Sequence, residues 1–265
     1  MIPNILSIAG SDPSGGAGIQ ADIKAISANG GYAMAVITGL TVQNTRGVQA
    51  VQLVDPAMIT AQIDALRDDI RIDAVKIGML GNADIIAAVA RALEGLDAPI
   101  VLDPVMVAKG GDRLLHADAV AALRQHLLPR AALITPNLPE AADLLGLPEA
   151  EDEATMQDHA ERLMRHGAQA VLMKGGHLPG GASPDLLMTE SNATWLRAAR
   201  IDSPNTHGTG CTLSSAIAAR LGSGIPLPDA VAQAKSYITG AIAGAGRLSV
   251  GHGHGPTHHF HAWQT

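Results

Sequence analysis

The sequence predicts an α/β protein, a three-layer αβα arrangement around a mostly parallel central sheet. Short apolar runs alternate with longer segments of helical period along the chain. Each apolar run stops at Gly, Asp-Pro or Thr-Pro, as strands do where the chain turns. The runs are apolar throughout rather than alternating, which belongs to strands covered on both faces.

Taken in order, "NILSIAG" at 4–10 reads as a buried strand and "AMAVITGL" at 33–40 as a second. "DAVKIGML" (73–80), "APIVLDPV" (98–105), "AALITPN" (131–137) and "QAVLMKGG" (169–176) follow the same form. Between them lie amphipathic helices. In "PAMITAQIDALRDDI", Met58, Ile59, Ile63, Leu66 and Ile70 recur at helical spacing, while Asp64, Arg67 and Asp68 face outward. "ADIIAAVARALEGL" and "HADAVAALRQHLLP" repeat the design, as does "DEATMQDHAERLMRHGA", with Asp152 as N-cap and Gly167 at its end. "DLLMTESNATWLRA" (185–198) reads as a hairpin with "ESNA" as its turn. There is no linker, repeat or low-complexity block, so residues 1–265 are expected to form one domain.

Composition narrows the class. Hydrophobic residues make up 47% but aromatic ones only 2%, so the core is built from Ala, Val, Ile, Leu and Met. A net charge of −7 with both signs interspersed argues against a nucleic-acid surface. One cysteine excludes an internal disulfide and fits a reducing compartment. No signal peptide is visible in "MIPNILSIAGSD", and no apolar run reaches the ~18 residues of a membrane span. A cytoplasmic protein is expected.

In folds of this class ligands collect at the carboxyl ends of the strands. The first such loop, "AGSDPSGGAGIQADIK", contains Gly10, Gly15, Gly16 and Gly18, which let backbone amides approach a ligand. It is neither a P-loop nor a dinucleotide fingerprint, because no Lys-Ser/Thr pair follows and Ala21 holds the third glycine position. A binding loop and a plain turn both remain open.

In "ITPNLPEA", Asn137 and Glu140 share one side of a helical first turn. They suit a hydrated magnesium ion, which uses few protein ligands, or a capping box. Asp103 in "LDPVM" would polarise a metal-bound water or close an Asx-turn. Lys174 in "MKGGH" would meet a phosphate or remain solvated.

In "THGTGC", Gly208 and Gly210 permit a tight turn with several N–H groups pointing one way, and Thr209 lies between them. The helix that follows adds free amides and a positive end, which makes an anion hole for a transferring phosphoryl group. The helix start is expected to lower the pKa of Cys211, whose thiolate would serve as general base. The alternative is a small cysteine packed under the turn. The histidines of "VGHGHGPTHHFHAWQT" lack an accompanying cysteine or carboxylate and are expected to fold back on the body rather than bind metal.

Together these stretches resemble the hydroxymethylpyrimidine/phosphomethylpyrimidine kinases of the ribokinase-like superfamily. "IAGSDPSGGAGIQADIK", "ITGLTVQNTRGV", "KIGML", "LDPVM", "LITPNLPEA", "VLMKGGH", "NTHGTGCTLSSAIA" and "GHGPTHHFH" match in order over essentially the whole chain. The resemblance implies a ribokinase-like fold, ATP and Mg2+ as cofactors, and phosphorylation of 4-amino-5-hydroxymethyl-2-methylpyrimidine and then of its monophosphate for thiamine assembly. It also implies a homodimer, with no nucleic acid or membrane among its partners.

Residue by residue, it implies that Asp22 and Gln43 hydrogen-bond the aminopyrimidine, Gly10 and Met79 border the ring, and Val105 or Val107 completes the apolar wall. Asn137, Lys174 and Thr206 would serve the nucleotide, Asp103 and Glu140 the magnesium, and Gly208, Thr209, Gly210 and Cys211 the anion hole. Ribokinase-like sugar kinases carry Asp where Cys211 stands. A pyridoxal or pyridoxine kinase of the same fold is the alternative, with a silent pyrimidine-binding sensor and a dinucleotide-dependent oxidoreductase behind it. Residues 107–115, hinged at Gly110 and Gly111, are expected to form a lid.

Overall fold

The computed structural model describes residues 1–106 and 117–263. Val107 and the expected 107–115 lid, with Gly110 and Gly111, lie outside the described residues.

The chain alternates as the sequence predicts. It runs β1 (Asn4–Ser11), α1 (Gly18–Ala28), β2 (Tyr32–Asn44), β3 (Gly47–Leu53), α2 (Pro56–Asp69), β4 (Ala74–Ile77), α3 (Ala83–Ala92) and β5 (Ile100–Leu102). The second half continues with α4 (Ala117–His126), β6 (Leu133–Ile134), α5 (Leu138–Leu145), α6 (Glu153–Arg165), β7 (Ala170–Lys174), β8 (Asp185–Thr189), β9 (Ala193–Leu196), α7 (Thr209–Gly222) and α8 (Leu227–Ala243).

All of these strands join one sheet in the order β3-β2-β1-β4-β5-β6-β7-β8-β9. Pairings from β2 through β7 are parallel, and β3, β8 and β9 add antiparallel edges. The strand order reverses at β1, between β2 and β4, which opens a crevice at the carboxyl ends of the strands.

One face of the sheet packs Ile26 of α1, Ile217 of α7 and Val231 of α8 against Ile5, Val101 and Leu172. The other face packs Ile59, Ile85, Leu123, Leu138 and Met156 from α2 through α6 against Leu6, Ile77 and Ile134. These are the three layers the apolar runs imply.

Local signals hold where they are covalently simple. Asp152 accepts from the Thr155 amide at 2.7 Å and starts α6, and Asp55 does the same for α2 with Pro56 at its first position. The hairpin at 185–198 is β8 paired with β9. Two expectations need correction. Met58 of α2 is exposed, while Ile59 and Ile63 are fully buried and Leu66 and Ile70 pack against the core beside them. Arg67 turns inward to donate to the carbonyls of Ala92 and Glu94, which closes the end of α3.

The edge strand β3 has no counterpart in the sequence reading, since "GVQAVQL" is mostly exposed and carries no apolar run. The C-terminal segment folds back over the body. His254 and Gly253 donate from their amides to Thr45 at the β2–β3 turn, and Pro256 bridges to His207. Among the described residues, no helix is long and apolar enough to cross a membrane.

Candidate active site

The turn before α7 is built as its glycines demand. Gly208 caps the helix with φ of 75°, a left-handed conformation that glycine adopts without strain. A Cβ there would stand 1.8 Å from the Gly16 carbonyl oxygen, so the first glycine loop lies directly on this turn. Thr209 donates its hydroxyl to the Thr206 carbonyl at 2.7 Å, which tightens the turn from inside.

The first turn of α7 faces a charged cluster. The Cβ position of Gly210 lies 3.2 Å from Lys174 Nζ and 3.5 Å from Asp103 Oδ2. Lys174 Nζ donates to Asp103 Oδ1 at 3.0 Å and stands 3.8 Å from Glu140 Oε2. Thr135 donates to Asp103 at 3.1 Å, and Ser214 of α7 reaches its other oxygen at 3.3 Å. Burial opposes the charged form of Asp103, but Lys174 and Lys76 outweigh it and hold its carboxyl below the usual range. Burial pushes Glu140 up to about 7, with Lys174 opposing and Asp103 adding to the rise. Burial disfavours the Lys174 cation, yet the two carboxylates hold its pKa above the ordinary value.

Asn137 and Glu140 form a full capping box. The Asn137 side chain accepts from the Glu140 amide and Glu140 Oε2 from the Asn137 amide, both at 2.8 Å. The Asn137 side-chain oxygen is thereby engaged with its own helix, as the capping-box alternative has it. Asp103 and Glu140 offer hard, buried oxygen donors on either side of Lys174, and this fits a magnesium ion that keeps most of its water shell. Among the described residues there is no cluster of three or more carboxylate, histidine or cysteine ligands.

Cys211 corrects one expectation. Burial pushes its thiol up to about 11, with Asp22 and Asp103 adding to the rise and Lys76 opposing it. The helix start does not overcome this burial, so the group at neutral pH is a thiol.

Asp22 corrects another. It is fully buried, and its oxygens accept from Ser7 at 2.6 Å, Ser215 at 2.8 Å and Lys76 at 2.9 Å. No face of this carboxylate is open to a substrate. It ties β1, β4 and α7 together behind the site instead.

The remaining expected substrate contacts gather at the strand-order reversal. A Cβ on Gly10 would stand 2.4 Å from Met79 Cε, so the end of β1 and the segment after β4 share one wall. Val105 is half-buried beyond β5, its amide donating to the Asp103 carbonyl at 2.8 Å. Gln43 at the end of β2 stands 3.5 Å from His207 Nε2, next to Gly208. Sequence reasoning passed over Asp12 and His207, which meet at 2.8 Å. It also missed Lys76, Thr135, Ser214 and Ser215. Asp12 in the glycine loop and His207 beside the glycine turn were visible, but only the fold shows that they touch.

The sequence profile of the phosphomethylpyrimidine kinase family matches residues 12–258. The chain belongs to this family. It is 54% identical over 261 residues to the hydroxymethylpyrimidine/phosphomethylpyrimidine kinase of Escherichia coli strain K12, covering 98% of each chain. It is 50% identical over 257 residues to the thiamine biosynthesis bifunctional protein of Geobacter sulfurreducens, covering 97% of this chain and 52% of that protein. Its fold is similar to the ADP complex of Bacillus subtilis pyridoxal kinase, with a TM-score of 0.92 and 37% identity over the full length of both chains. The sheet and its helical layers are thus a ribokinase-like fold.

Proposed function

We propose that this kinase transfers the γ-phosphoryl group of ATP to the hydroxymethyl oxygen of 4-amino-5-hydroxymethyl-2-methylpyrimidine, and then phosphorylates the monophosphate for thiamine biosynthesis. One observation carries this reading: the first turn of α7 meets Lys174 across Gly210, and Lys174 is paired there with Asp103 and Glu140. Phosphoryl transfer passes through a loose transition state, so positioning and charge neutralisation do most of the work. The turn receives developing negative charge on its N–H groups, and Lys174 offsets phosphate charge from the side.

Asp103 and Glu140 would hold a magnesium ion through its water shell, and that ion would neutralise phosphate charge. Thr206 shapes the turn from its carbonyl and would lie beside the nucleotide. Gly10, Met79 and Val105 would wall the pyrimidine, and Gln43 would hydrogen-bond it. The thiol of Cys211 fits under the turn as a packing group, and the rate comes from the backbone amides around it.

Residues 1–265 are read as one kinase domain, on the ground of the single sheet. A homodimer working in the reducing cytoplasm completes the proposal. The exposed Leu40 and Val42 of the β2–β3 ribbon are surface that such a pairing would cover.

The test is a timed assay with ATP and magnesium, offering hydroxymethylpyrimidine, its monophosphate and pyridoxal, with products resolved by mass. Successive mono- and diphosphate from the pyrimidine support the reading. Preferred turnover of pyridoxal overturns it.

A further inference from the structure

The Gln43 amide touches two groups, and neither contact works as a hydrogen bond the way round it stands. Its Nε2 faces His207 Nε2 at 3.5 Å, and its Oε1 faces Thr41 Oγ1 at 3.2 Å. His207 Nε2 lies 2.8 Å from Asp12 Oδ2. Burial opposes the Asp12 charge, but His207 and Ser14 outweigh it and hold the group as a carboxylate. A carboxylate only accepts, so His207 Nε2 carries a proton aimed at Asp12. Against the Gln43 nitrogen this is donor facing donor.

Thr41 has one hydroxyl proton, and it goes to the Ser11 carbonyl at 2.8 Å, which also only accepts. Thr41 then turns lone pairs towards Gln43 Oε1, acceptor facing acceptor. Half a turn of the amide removes both conflicts together. The two ends of an amide are told apart by such partners.

We propose that Thr41 is a positioning residue that accepts an N–H of the Gln43 amide, and that His207, its own N–H held by Asp12, keeps the amide nitrogen away and leaves the amide oxygen on its side. One N–H and the carbonyl oxygen then remain uncommitted. That donor–acceptor pair complements the edge of an aminopyrimidine, where a ring nitrogen accepts and the exocyclic amine donates. The inference rests on Gln43 being a substrate contact. It also links recognition of the ring to the phosphoryl site, because His207 is the residue before Gly208.

The test measures binding of hydroxymethylpyrimidine, and of its analogue lacking the exocyclic amine, by calorimetry. Wild type, Thr41→Val, Thr41→Ser and Gln43→Ala are compared. Thr41→Val is expected to narrow the preference for the amine about fivefold, the usual weight of one hydrogen bond. Thr41→Ser, which keeps the hydroxyl, should restore it. A general loss of structure would weaken both ligands alike and leave the preference unmoved. If Thr41→Val keeps the wild-type preference while Gln43→Ala abolishes it, the positioning role is overturned and the substrate contact stands. If Gln43→Ala keeps the preference too, both fall.

Discussion

Lys76 Nζ stands 2.9 Å from each carboxylate oxygen of Asp22, and neither side chain presents any surface to solvent. The pair lies behind the phosphoryl site, where Ser215 brings α7 onto the same carboxylate. Burial works against the Lys76 cation, but Asp22 more than compensates and raises its pKa.

Removing one partner leaves a charge buried alone. Asp22→Ala is therefore expected to lower unfolding free energy by about 3–5 kcal/mol, read from urea denaturation. Replacing both partners, as Asp22→Leu with Lys76→Met, should recover much of that loss. A loss of under about 1 kcal/mol in Asp22→Ala would return the residue to the substrate-contact role that the family resemblance implied.

Cys211 should behave as an unactivated thiol. With its pKa pushed up to about 11 by burial, alkylation by iodoacetamide should be slow at neutral pH and climb only as the pH approaches that value. Cys211→Ser should keep kcat within about tenfold of wild type, since a general base supplies more than that. Fast alkylation at neutral pH, together with a large loss in Cys211→Ser, would reinstate the thiolate base.

Gly208→Ala tests the anion hole. The new Cβ meets the Gly16 oxygen and forces a left-handed alanine, so the turn must open. Loss of aligned donors is expected to lower kcat by about 100-fold. Steady-state kinetics at saturating ATP check this, with circular dichroism confirming that the sheet persists.

His259 sets an acid limit on stability. Burial, with Lys24 and His258 adding, lowers its pKa from 6.5 to about 4, while Thr212 stands 3.1 Å from its Nε2. Between those values the unfolded chain binds a proton that the folded chain refuses. Stability therefore falls as the pH drops through that window, by up to about 3 kcal/mol. Urea midpoints should fall between neutral pH and pH ~4.5 in wild type and fall less in His259→Gln. Equal slopes would remove His259 as the cause.

The sequence made the buried strands legible because strands covered on both faces are apolar from end to end. β3 escaped for the opposite reason: an exposed edge interrupted by Gln49 and Gln52 gives no such run. The glycine turn, Lys174, Asp103 and Glu140 were legible as a set, since each sits where a strand meets a loop. Asp22 misled because a helical acid near a glycine loop looks the same whether it faces ligand or core. Its partners Ser7, Lys76 and Ser215 are up to 193 residues away, and no local pattern announces them. Cys211 misled for a related reason. The helix start is visible in sequence, whereas the burial that outweighs it, and the carboxylates of Asp22 in α1 and Asp103 after β5 that add to it, appear only in the fold.

The return of residues 253–256 over the site carries a consequence for synthesis. Thr45 takes its partners from Gly253 and His254, and His207 is bridged by Pro256. A ribosome delivers Thr45 some two hundred residues before those partners. The sheet can assemble as its strands emerge, but the rim beside Gln43 and His207 closes only when residues 253–256 have cleared the exit tunnel. Closing that rim is thus a long-range event, joining segments some two hundred residues apart after the strands between them are already in place.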